Sequence, residues 1–178
     1  MLSLTTRSWP PLRGCWVLAA LVGVAACGAT PRYQAGIYRR GSLGFRVGEL
    51  PSGWQRTRAV HGASDGVTFH HAGGGTVHAG GDCDHPEDVP LDVLSNHLLI
   101  GFEDRKEVSR DPLVLDGRGA LRTRVDARLD GVSVVLDVVV TRKDGCTYDL
   151  QLITGPAVYQ ERRPDFDRFV GGFAQAAP

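Results

Sequence analysis

The stretch that decides the fold covers residues 121–140 and reads LRTRVDARLDGVSVVLDVVV. From 121 to 129, apolar residues and one Thr occupy the odd positions, and charged residues occupy the even positions. Successive side chains of a strand point to opposite faces of its sheet. The alternation therefore predicts a strand with one face against the core and the other in water.

A hairpin turn follows directly at Asp130-Gly131. Asp-Gly between alternating segments is typical of a type I′ turn, because both of its central residues need a positive φ. Such a turn predicts the pairs Leu129 with Val132, Ala127 with Val134, Val125 with Leu136, Thr123 with Val138, Leu121 with Val140 and Arg124 with Asp137. Every inward pair is then apolar or Thr, and the pair expected on the wet face has opposite charges.

A third strand is expected after Lys143-Asp144-Gly145. A two-residue loop would place Val140 opposite Asp149 and break the apolar pattern. A three-residue loop with Gly145 in a bulge preserves it. This register pairs Arg142 with Cys146, Val140 with Tyr148, Val138 with Leu150 and Leu136 with Leu152.

Two helices are expected to cover the apolar side of this meander. Pro90 suits the first position of one helix, and Pro164 suits the first position of the other. Apolar stripes at helical spacing follow them, at Leu91, Leu94, Leu98 and Phe102 and at Phe166, Phe169, Val170 and Phe173. Short strands are expected around Phe45, Trp54, 67–69 and Val77. The order of elements predicts an α+β domain with an antiparallel sheet and helices packed on it.

This layout resembles the PsbP-like domains, known from photosystem extrinsic subunits and from bacterial lipoproteins. The similarity is carried by Gly44-Phe45-Arg46-Val47 and by the turn Pro51-Ser52-Gly53-Trp54, followed by the helix, the long meander and a Phe-rich terminal helix. The resemblance spans about residues 38 to 173. It implies an α/β/α sandwich that serves as a binding or assembly module, usually without catalysis.

The N-terminus has the pattern of an export signal. Arg7 and Arg13 precede twelve apolar or small residues at 15–26, whereas a membrane-spanning helix needs about 20. Residues 24–27 read VAAC and resemble the lipobox of bacterial lipoproteins, in which the cysteine, here Cys27, is acylated. An ordinary secretory peptide that is cut after Ala26 is the alternative.

These features divide the chain into three parts: a signal peptide at 1–26, a lipidated N-terminus and tether at 27–36, and one globular domain at 37–178. Gly28 follows the lipidated cysteine in place of Asp, and in a Gram-negative cell the resemblance to this class then implies the outer membrane, facing the periplasm. The 178 residues contain 20 Lys and Arg and 20 Asp and Glu. A balanced charge argues against nucleic-acid binding, which needs a basic surplus.

Two cysteines remain for the exported domain, since Cys15 lies in the signal peptide and Cys27 carries the lipid. A disulfide between Cys83 and Cys146 is the simplest reading in an oxidising compartment. Two buried free thiols are an alternative, as is a metal site that also uses His85. Neither a CxxC nor an HExxH motif occurs, so we expect no metal and no cofactor.

Three features invite a catalytic or binding interpretation. Residues 62–66 read GASDG and match the nucleophile elbow around Ser64, but a strand-like segment follows where a helix is required, so we expect a turn. His70, His71 and His78 flank a Gly-rich turn, and at most one of the first two can share a face with His78. Arg122, Arg124 and Arg128 form a basic stripe that we expect on a solvated face, with contact to lipid headgroups or acidic partners as the alternative.

The function expected from the sequence is that of a lipid-anchored, non-catalytic binding or accessory module for a transport or assembly complex of the cell envelope. Its partners would be the membrane, through the lipid, and an envelope protein. A carrier of a lipid or apolar small molecule, with a cleft between sheet and helices, is the alternative. A hydrolase is the third hypothesis, and it would need perturbed titratable groups around Ser64 or the histidines.

Overall fold

A computed structural model describes residues 31–57, 65–84 and 89–176. Cys27, Ser64 and His85 lie outside these residues, as do the whole predicted signal peptide and lipobox. The described chain contains strands β1 (Arg32–Gln34), β2 (Ile37–Arg40), β3 (Leu43–Arg46), β4 (Trp54–Arg56), β5 (Gly66–His71) and β6 (Thr76–Asp82), helix α1 (Leu91–His97), strands β7 (Glu103–Leu115), β8 (Arg118–Leu129), β9 (Val132–Lys143) and β10 (Cys146–Thr154), helix α2 (Tyr159–Gly171) and strand β11 (Ala174–Gln175). Two antiparallel sheets and two helices make this an α+β fold, as the sequence predicts.

The large sheet has the strand order β4-β5-β6-β10-β9-β8-β7. Its β8–β9 hairpin has the predicted register at every position, including Val125 opposite Leu136 and Arg124 opposite Asp137. Asp130 and Gly131 have φ values of 50° and 78°, as a type I′ turn requires. The alternating pattern and the Asp-Gly turn were sufficient to fix this hairpin.

The predicted β9–β10 register is wrong by one residue. Cys146 pairs with Lys143, and Leu150 pairs with Val139. Asp144 and Gly145 alone form the loop, both with positive φ, and no bulge is present in this hairpin. The rejected pairing of Val140 with Asp149 is the one observed.

The physical reason for this register is that β9 is buried on both faces. All residues from Val135 to Thr141 are buried, so β9 has no wet face to protect. The observed register places Leu150 and Leu152 on the face that α2 covers, and it places Asp149 and Gln151 on the face that carries α1. Each face of the sheet therefore has its own apolar cluster.

Helix α1 packs over β8 and β9 and is shorter than predicted. Pro90 is its N-cap, and the helix ends at His97. A tighter turn then bonds Leu99 N–H to the Asn96 carbonyl. This turn rotates the chain so that Leu99 is buried against Val125, Leu136 and Val138, with the predicted stripe residues Leu98 and Phe102 only partly buried beside it.

Helix α2 begins at Tyr159, so Pro164 lies inside the helix and not at its start. Pro164 has no N–H, so the carbonyl of Gln160 loses its helical hydrogen bond. Both residues are exposed, and water can replace that bond. The predicted stripe is confirmed. Phe166, Phe169, Val170 and Phe173 are all buried.

The small sheet has the order β1-β2-β3-β11. It packs on the α2 side of the large sheet through aromatic rings, with Phe45 stacked on Tyr38 and in edge contact with Tyr148. Strand β1 lies within residues 27–36, which the sequence suggested were a tether. Strand β7 was not anticipated, because its charged, irregular sequence and two register shifts against β8 conceal the period of a strand.

Candidate functional site

A row of polar side chains lies on the α1 side of the large sheet, where α1 does not reach. It consists of Thr68 on β5, His78 on β6, and Asp149 and Gln151 on β10, and we call it the polar strip. Thr68 is opposite His78, and His78 is opposite Gln151, so the strip crosses three neighbouring strands. Because Gln151 is also opposite Val138, the strip borders the apolar cluster under α1. All four side chains are half-buried.

His78 is the centre of the strip. Its Nδ1 shares a hydrogen bond of 2.9 Å with Thr68 Oγ1. The imidazole lies over two glycines, since a Cβ on Gly80 would be 2.6 Å from Nε2 and a Cβ on Gly66 would be 2.8 Å from Cε1. These glycines form a cradle that only residues without a side chain allow, which fixes the orientation of the ring.

Burial and charge act on His78 in opposite directions. Loss of solvent lowers the pKa of His78 below its ordinary value, and the nearby Asp149 carboxylate partly offsets this by raising it. Asp149 is itself held by Gln151, whose Nε2 donates to Asp149 Oδ2 at 2.7 Å. The strip therefore presents an imidazole, a carboxylate, an amide and a hydroxyl at fixed positions, a set suited to hydrogen bonding with a polar partner.

The other two histidines of this hairpin are bound separately. His70 shares the face of His78, as the sequence allowed for one of the pair, and its Nδ1 bonds to Thr76 Oγ1 at 2.8 Å. His71 is on the opposite face, where its Nδ1 accepts a bond of 2.9 Å from Gly73 N–H and its ring contacts Trp54. Among the described residues, no group of three or more His, Cys, Asp or Glu side chains could hold a metal ion.

A second polar cluster lies buried between the large sheet and α2. Asp137 is 1% exposed, accepts two bonds of 2.7 Å from Arg122, and accepts one of 2.9 Å from the hydroxyl of Tyr159. Arg122 also pairs with Asp167 at 2.7 Å. Partial burial alone would lower the pKa of Arg122, but Asp137 and Asp167 outweigh it and raise that pKa. Every polar group of this cluster is used inside the protein, which indicates a structural role.

The predicted basic stripe is therefore not a solvated face. Arg122 lies against Phe166, and Arg124 lies over the ring of Tyr159. Only Arg128 is exposed, and it donates to the carbonyl of Gly131 in the hairpin turn. The expectation was wrong because α2 covers the face of β8 that the alternating pattern assigned to water.

The predicted disulfide is confirmed. Cys83 and Cys146 are joined with an S–S distance of 2.04 Å, at the ends of β6 and β10. Cys146 is buried, as its inward position in the sequence suggested. The bond links the hairpin that carries His78 to the strand that carries Asp149 and Gln151.

The segment that follows Ser64 is a strand. Gly66 opens β5, and Asp65 pairs with Arg40 on the small sheet. This context agrees with a turn and differs from the strand-to-helix corner that a nucleophile elbow needs. Ser64 itself lies outside the described residues.

The interior between sheet and helix is filled where a ligand carrier would need a cleft. Phe166 and Phe169 are fully buried among Val139, Leu150 and Leu152. A cavity of about 310 Å³ lies elsewhere, on the outside of the β1–β2 hairpin, and is lined by Arg32, Gln34, Ala35, Ile37 and Arg39. No helix in the described parts of the chain is long and apolar enough to cross a membrane.

Comparison with known proteins identifies the architecture. The solution structure of cyanobacterial PsbP (CyanoP) from Synechocystis sp. PCC 6803 is 15% identical, has a TM-score of 0.55, and aligns over 94% of this chain and 100% of its own. The chain has a PsbP-like fold. Neither the family models nor the curated proteins gave a match.

Two further solved structures are more distantly similar. PA94 from Pseudomonas aeruginosa, a protein of unknown function, is 14% identical with a TM-score of 0.49, over 78% of this chain and 91% of its own. LpqN, involved in cell envelope biogenesis of Mycobacterium tuberculosis, is 10% identical with a TM-score of 0.47, over 84% of this chain and 90% of its own.

The motif that suggested the PsbP-like fold has a packing role. Gly53 has a φ of 100°, and a Cβ there would lie 2.5 Å from His71 Nε2. This turn directs the Trp54 indole towards α2, where Nε1 donates to Asp165 Oδ2 at 2.9 Å. The residues of the polar strip carried no comparable signal, although Gly66 and Gly80, as glycines inside strands, mark a place of close approach.

Proposed function

We propose that this protein is a lipid-anchored, non-catalytic binding module of the cell envelope. Its anchor is the acylated Cys27, its location is the outer membrane facing the periplasm, and its role is accessory to an envelope transport or assembly complex. The polar strip is the surface that contacts the protein partner. The half-buried polar strip, which lies beside the apolar cluster that α1 covers, is the observation that carries the binding part of this proposal.

The anchor and the location are supported by sequence and by chemistry. A basic segment, a short apolar run and VAAC at 24–27 occur in the order that lipoprotein export needs. The disulfide between Cys83 and Cys146 fits an oxidising compartment such as the periplasm.

The polar strip supports binding because hydrogen bonds hold its side chains in fixed orientations, while each side chain is still partly exposed. On the same face, α1 covers the apolar half of the sheet, with Leu99 against Val125 and Leu136. The strip continues this face with hydrogen-bonding groups on β5, β6 and β10, and rigid strands hold them at fixed spacing. Polar groups held at fixed spacing suit a protein contact, since a typical interface contains about ten direct hydrogen bonds.

Binding is favoured over catalysis because the other two histidines of this hairpin and the buried Asp137 are committed to structural partners. His70 and His71 each bond within their own hairpin, and Asp137 is enclosed by Arg122 and Tyr159. The filled space under α2 likewise disfavours a carrier of apolar molecules.

The anchor is tested by the intact mass of protein extracted from membranes, with wild type beside Cys27→Ala. We expect a mature wild-type chain that begins at an acylated Cys27, and a variant that lacks the lipid. A wild-type chain that is cut after Ala26 and carries no acyl group would overturn the anchor.

The binding surface is tested by photo-crosslinking in intact cells. A photoreactive side chain at Gln151, in the polar strip, should yield one defined adduct with an envelope protein. The matched control is Arg163, which is exposed on α2 on the other side of the sheet. Adducts at Arg163 but not at Gln151 would place the contact on the wrong face and reject the strip.

A further inference from the structure

The amide of Gln151 has a defined orientation in the polar strip. A carboxylate can only accept hydrogen bonds, so Gln151 turns its NH2 group to Asp149, with 2.7 Å from Nε2 to Oδ2. The amide therefore uses one N–H inside the strip. Its carbonyl oxygen Oε1, with two lone pairs, remains beside the carboxylate as an acceptor for a partner.

The tautomer of His78 follows from the acceptors around its ring. Nε2 lies over Gly80, where a Cβ would be 2.6 Å from Nε2 and 2.9 Å from the carbonyl oxygen of Asp65. Asp149 is directly opposite Gly80 in the sheet. Both neighbours on this side are acceptors, so they favour the proton on Nε2. Nδ1 is then the acceptor of the 2.9 Å bond, and the hydroxyl of Thr68 donates it.

The strip is therefore rich in acceptors on its exposed side. The hydroxyl hydrogen of Thr68 and one N–H of Gln151 are used inside the strip. The Asp149 carboxylate has about four acceptor sites, and the Gln151 amide occupies one of them. Because both side chains are half-buried, the remaining sites can be reached from solvent. Such a surface favours a partner group that donates several hydrogen bonds.

The charge of the strip selects a cation. Asp149 is its only charged member at neutral pH, because burial lowers the pKa of His78 below the ordinary value of 6.5 and the imidazole is then neutral. Arg142 and Asp82 lie in the next row of this face, both opposite Thr147, and each is bound within the protein. Their charges are opposite and cancel in sum, so the strip has a net negative charge.

The geometry matches a guanidinium better than an ammonium. The end groups of Asp149 and Gln151 meet at 2.7 Å, so carboxylate and amide oxygens lie side by side. A guanidinium has five N–H donors in a rigid plane and can bond two adjacent acceptors at once, whereas an ammonium is a point charge. Ile153, the next residue on this face of β10, is half-buried and offers a surface to the apolar stem of an arginine.

We propose that the polar strip binds an arginine side chain of its protein partner, with the guanidinium on the Asp149 carboxylate and on Gln151 Oε1. This inference rests on the proposed function, because it names the group that the partner brings to that surface. Complementary charge across an interface selects the partner and fixes its register.

The first test uses small probes that differ in charge. N-acetyl-arginine amide and its uncharged isostere N-acetyl-citrulline amide are titrated into the full ¹⁵N-labelled protein in detergent at pH 7.5, and NMR follows the side-chain amide of Gln151. We expect a saturable shift with the arginine probe and at least about tenfold weaker binding of the citrulline probe, because hydrogen bonds to charged groups are stronger. Equal binding of the two probes, or equal binding of N-acetyl-lysine amide, would overturn the assignment to arginine.

A matched pair of variants separates the strip from total charge. Asp149→Asn should weaken binding of the arginine probe at least about tenfold. Asp126→Asn has the same loss of charge at an exposed position on the other face of the sheet, and it should retain wild-type binding. The amide spectrum of each variant shows that it is folded. Loss of binding in both variants, or in neither, would reject Asp149 as the site.

Crosslinking in intact cells distinguishes failure of this inference from failure of the proposed function. A photoreactive side chain at Thr68 retains Asp149 and Gln151, and its adduct with an envelope protein should decrease at least about tenfold with Asp149→Asn but not with Asp126→Asn. An adduct that persists with Asp149→Asn rejects the arginine contact while the proposed binding surface stands. If no adduct forms at Thr68 or Gln151, the proposed protein contact fails, and the probe titration still decides whether the strip binds arginine.

Discussion

Asp137 accepts two parallel hydrogen bonds from Arg122, with Nε to Oδ1 and Nη2 to Oδ2 both at 2.7 Å. The carboxylate is 1% exposed and lies on β9, next to the central strand β10 of the large sheet. Tyr159 on α2 supplies a third bond of 2.9 Å. A buried charge is tolerated only where it is fully compensated, so these three residues fix how α2 sits on the sheet.

We predict that Arg122→Met destabilises the protein by about 3–5 kcal/mol, because it leaves the buried Asp137 carboxylate without its cation. Urea unfolding at pH 7 measures this loss. The double variant Arg122→Met/Asp137→Asn should recover part of it, since the uncompensated charge is then gone.

Arg128→Met is the matched control, because Arg128 is exposed and bonds only to the Gly131 carbonyl. It should change the free energy of unfolding by no more than about 0.5 kcal/mol. Equal losses from Arg122→Met and Arg128→Met would show that the bond to Asp137 has no special importance.

A second prediction concerns the end of α2, where two backbones cross. A Cβ on Gly172 would lie 2.3 Å from Gly48 Cα and 2.5 Å from Gly48 N. Since backbone cannot move aside as a flexible side chain can, Gly172→Ala should destabilise the protein by about 1–3 kcal/mol. Thermal unfolding of the variant beside wild type measures this.

Gly171→Ala is the control for this site. Gly171 is the exposed last residue of α2, and a Cβ there meets no atom within 4 Å. Alanine favours the helix and restricts the unfolded chain, so the variant should be more stable by about 0.5–1 kcal/mol. The prediction fails if the two substitutions act in the same direction.

The predictable part of this fold is the part that local sequence determines. The β8–β9 register follows from the turn at Asp130-Gly131 and from period-two alternation, both of which are local. The disulfide follows from the number of cysteines and the oxidising compartment that the sequence predicts. The stripe of α2 follows from spacing, because Phe166 and Phe169 face the core whatever the helix packs against.

The remaining features depend on which helix or sheet covers each face of the large sheet, and local sequence does not contain that information. The pattern around Arg122 reads as a wet face, yet α2 covers it and Asp137 neutralises it. The assumption that one face of the sheet is in water also caused the error in the β9–β10 register. Because β9 is buried on both faces, its hydrophobic pattern is compatible with either register of β10. The polar strip was missed for this reason, since Asp149 and Gln151 acquire their neighbours only in the observed register.

A third prediction concerns the disulfide, which joins cysteines 63 positions apart. Cys83→Ala/Cys146→Ala should lower the free energy of unfolding by about 4 kcal/mol, because the unfolded chain loses a closed loop of that length. Urea unfolding of the variant, beside wild type with and without reductant, measures the loss. Reduced wild type should match the variant, and no effect of reductant on wild type would contradict the prediction.

The last prediction is a pH dependence that originates at His78. Loss of solvent lowers its pKa in the folded protein, despite the opposing effect of Asp149, so between the folded pKa and the unfolded value of 6.5 the unfolded chain binds more protons. The stability that this histidine contributes is therefore complete above about pH 6.5 and declines as the pH falls through that value. His78→Gln should flatten this decline in urea unfolding curves recorded from pH 8 to pH 5, whereas His97→Gln, at an exposed position on α1, should retain the wild-type slope.

Asp149→Asn removes the carboxylate that favours the charged imidazole, so the decline in stability of this variant should be steeper than that of wild type. If His78→Gln and wild type have the same slope, the imidazole is not under the desolvation that the Gly66 and Gly80 cradle implies.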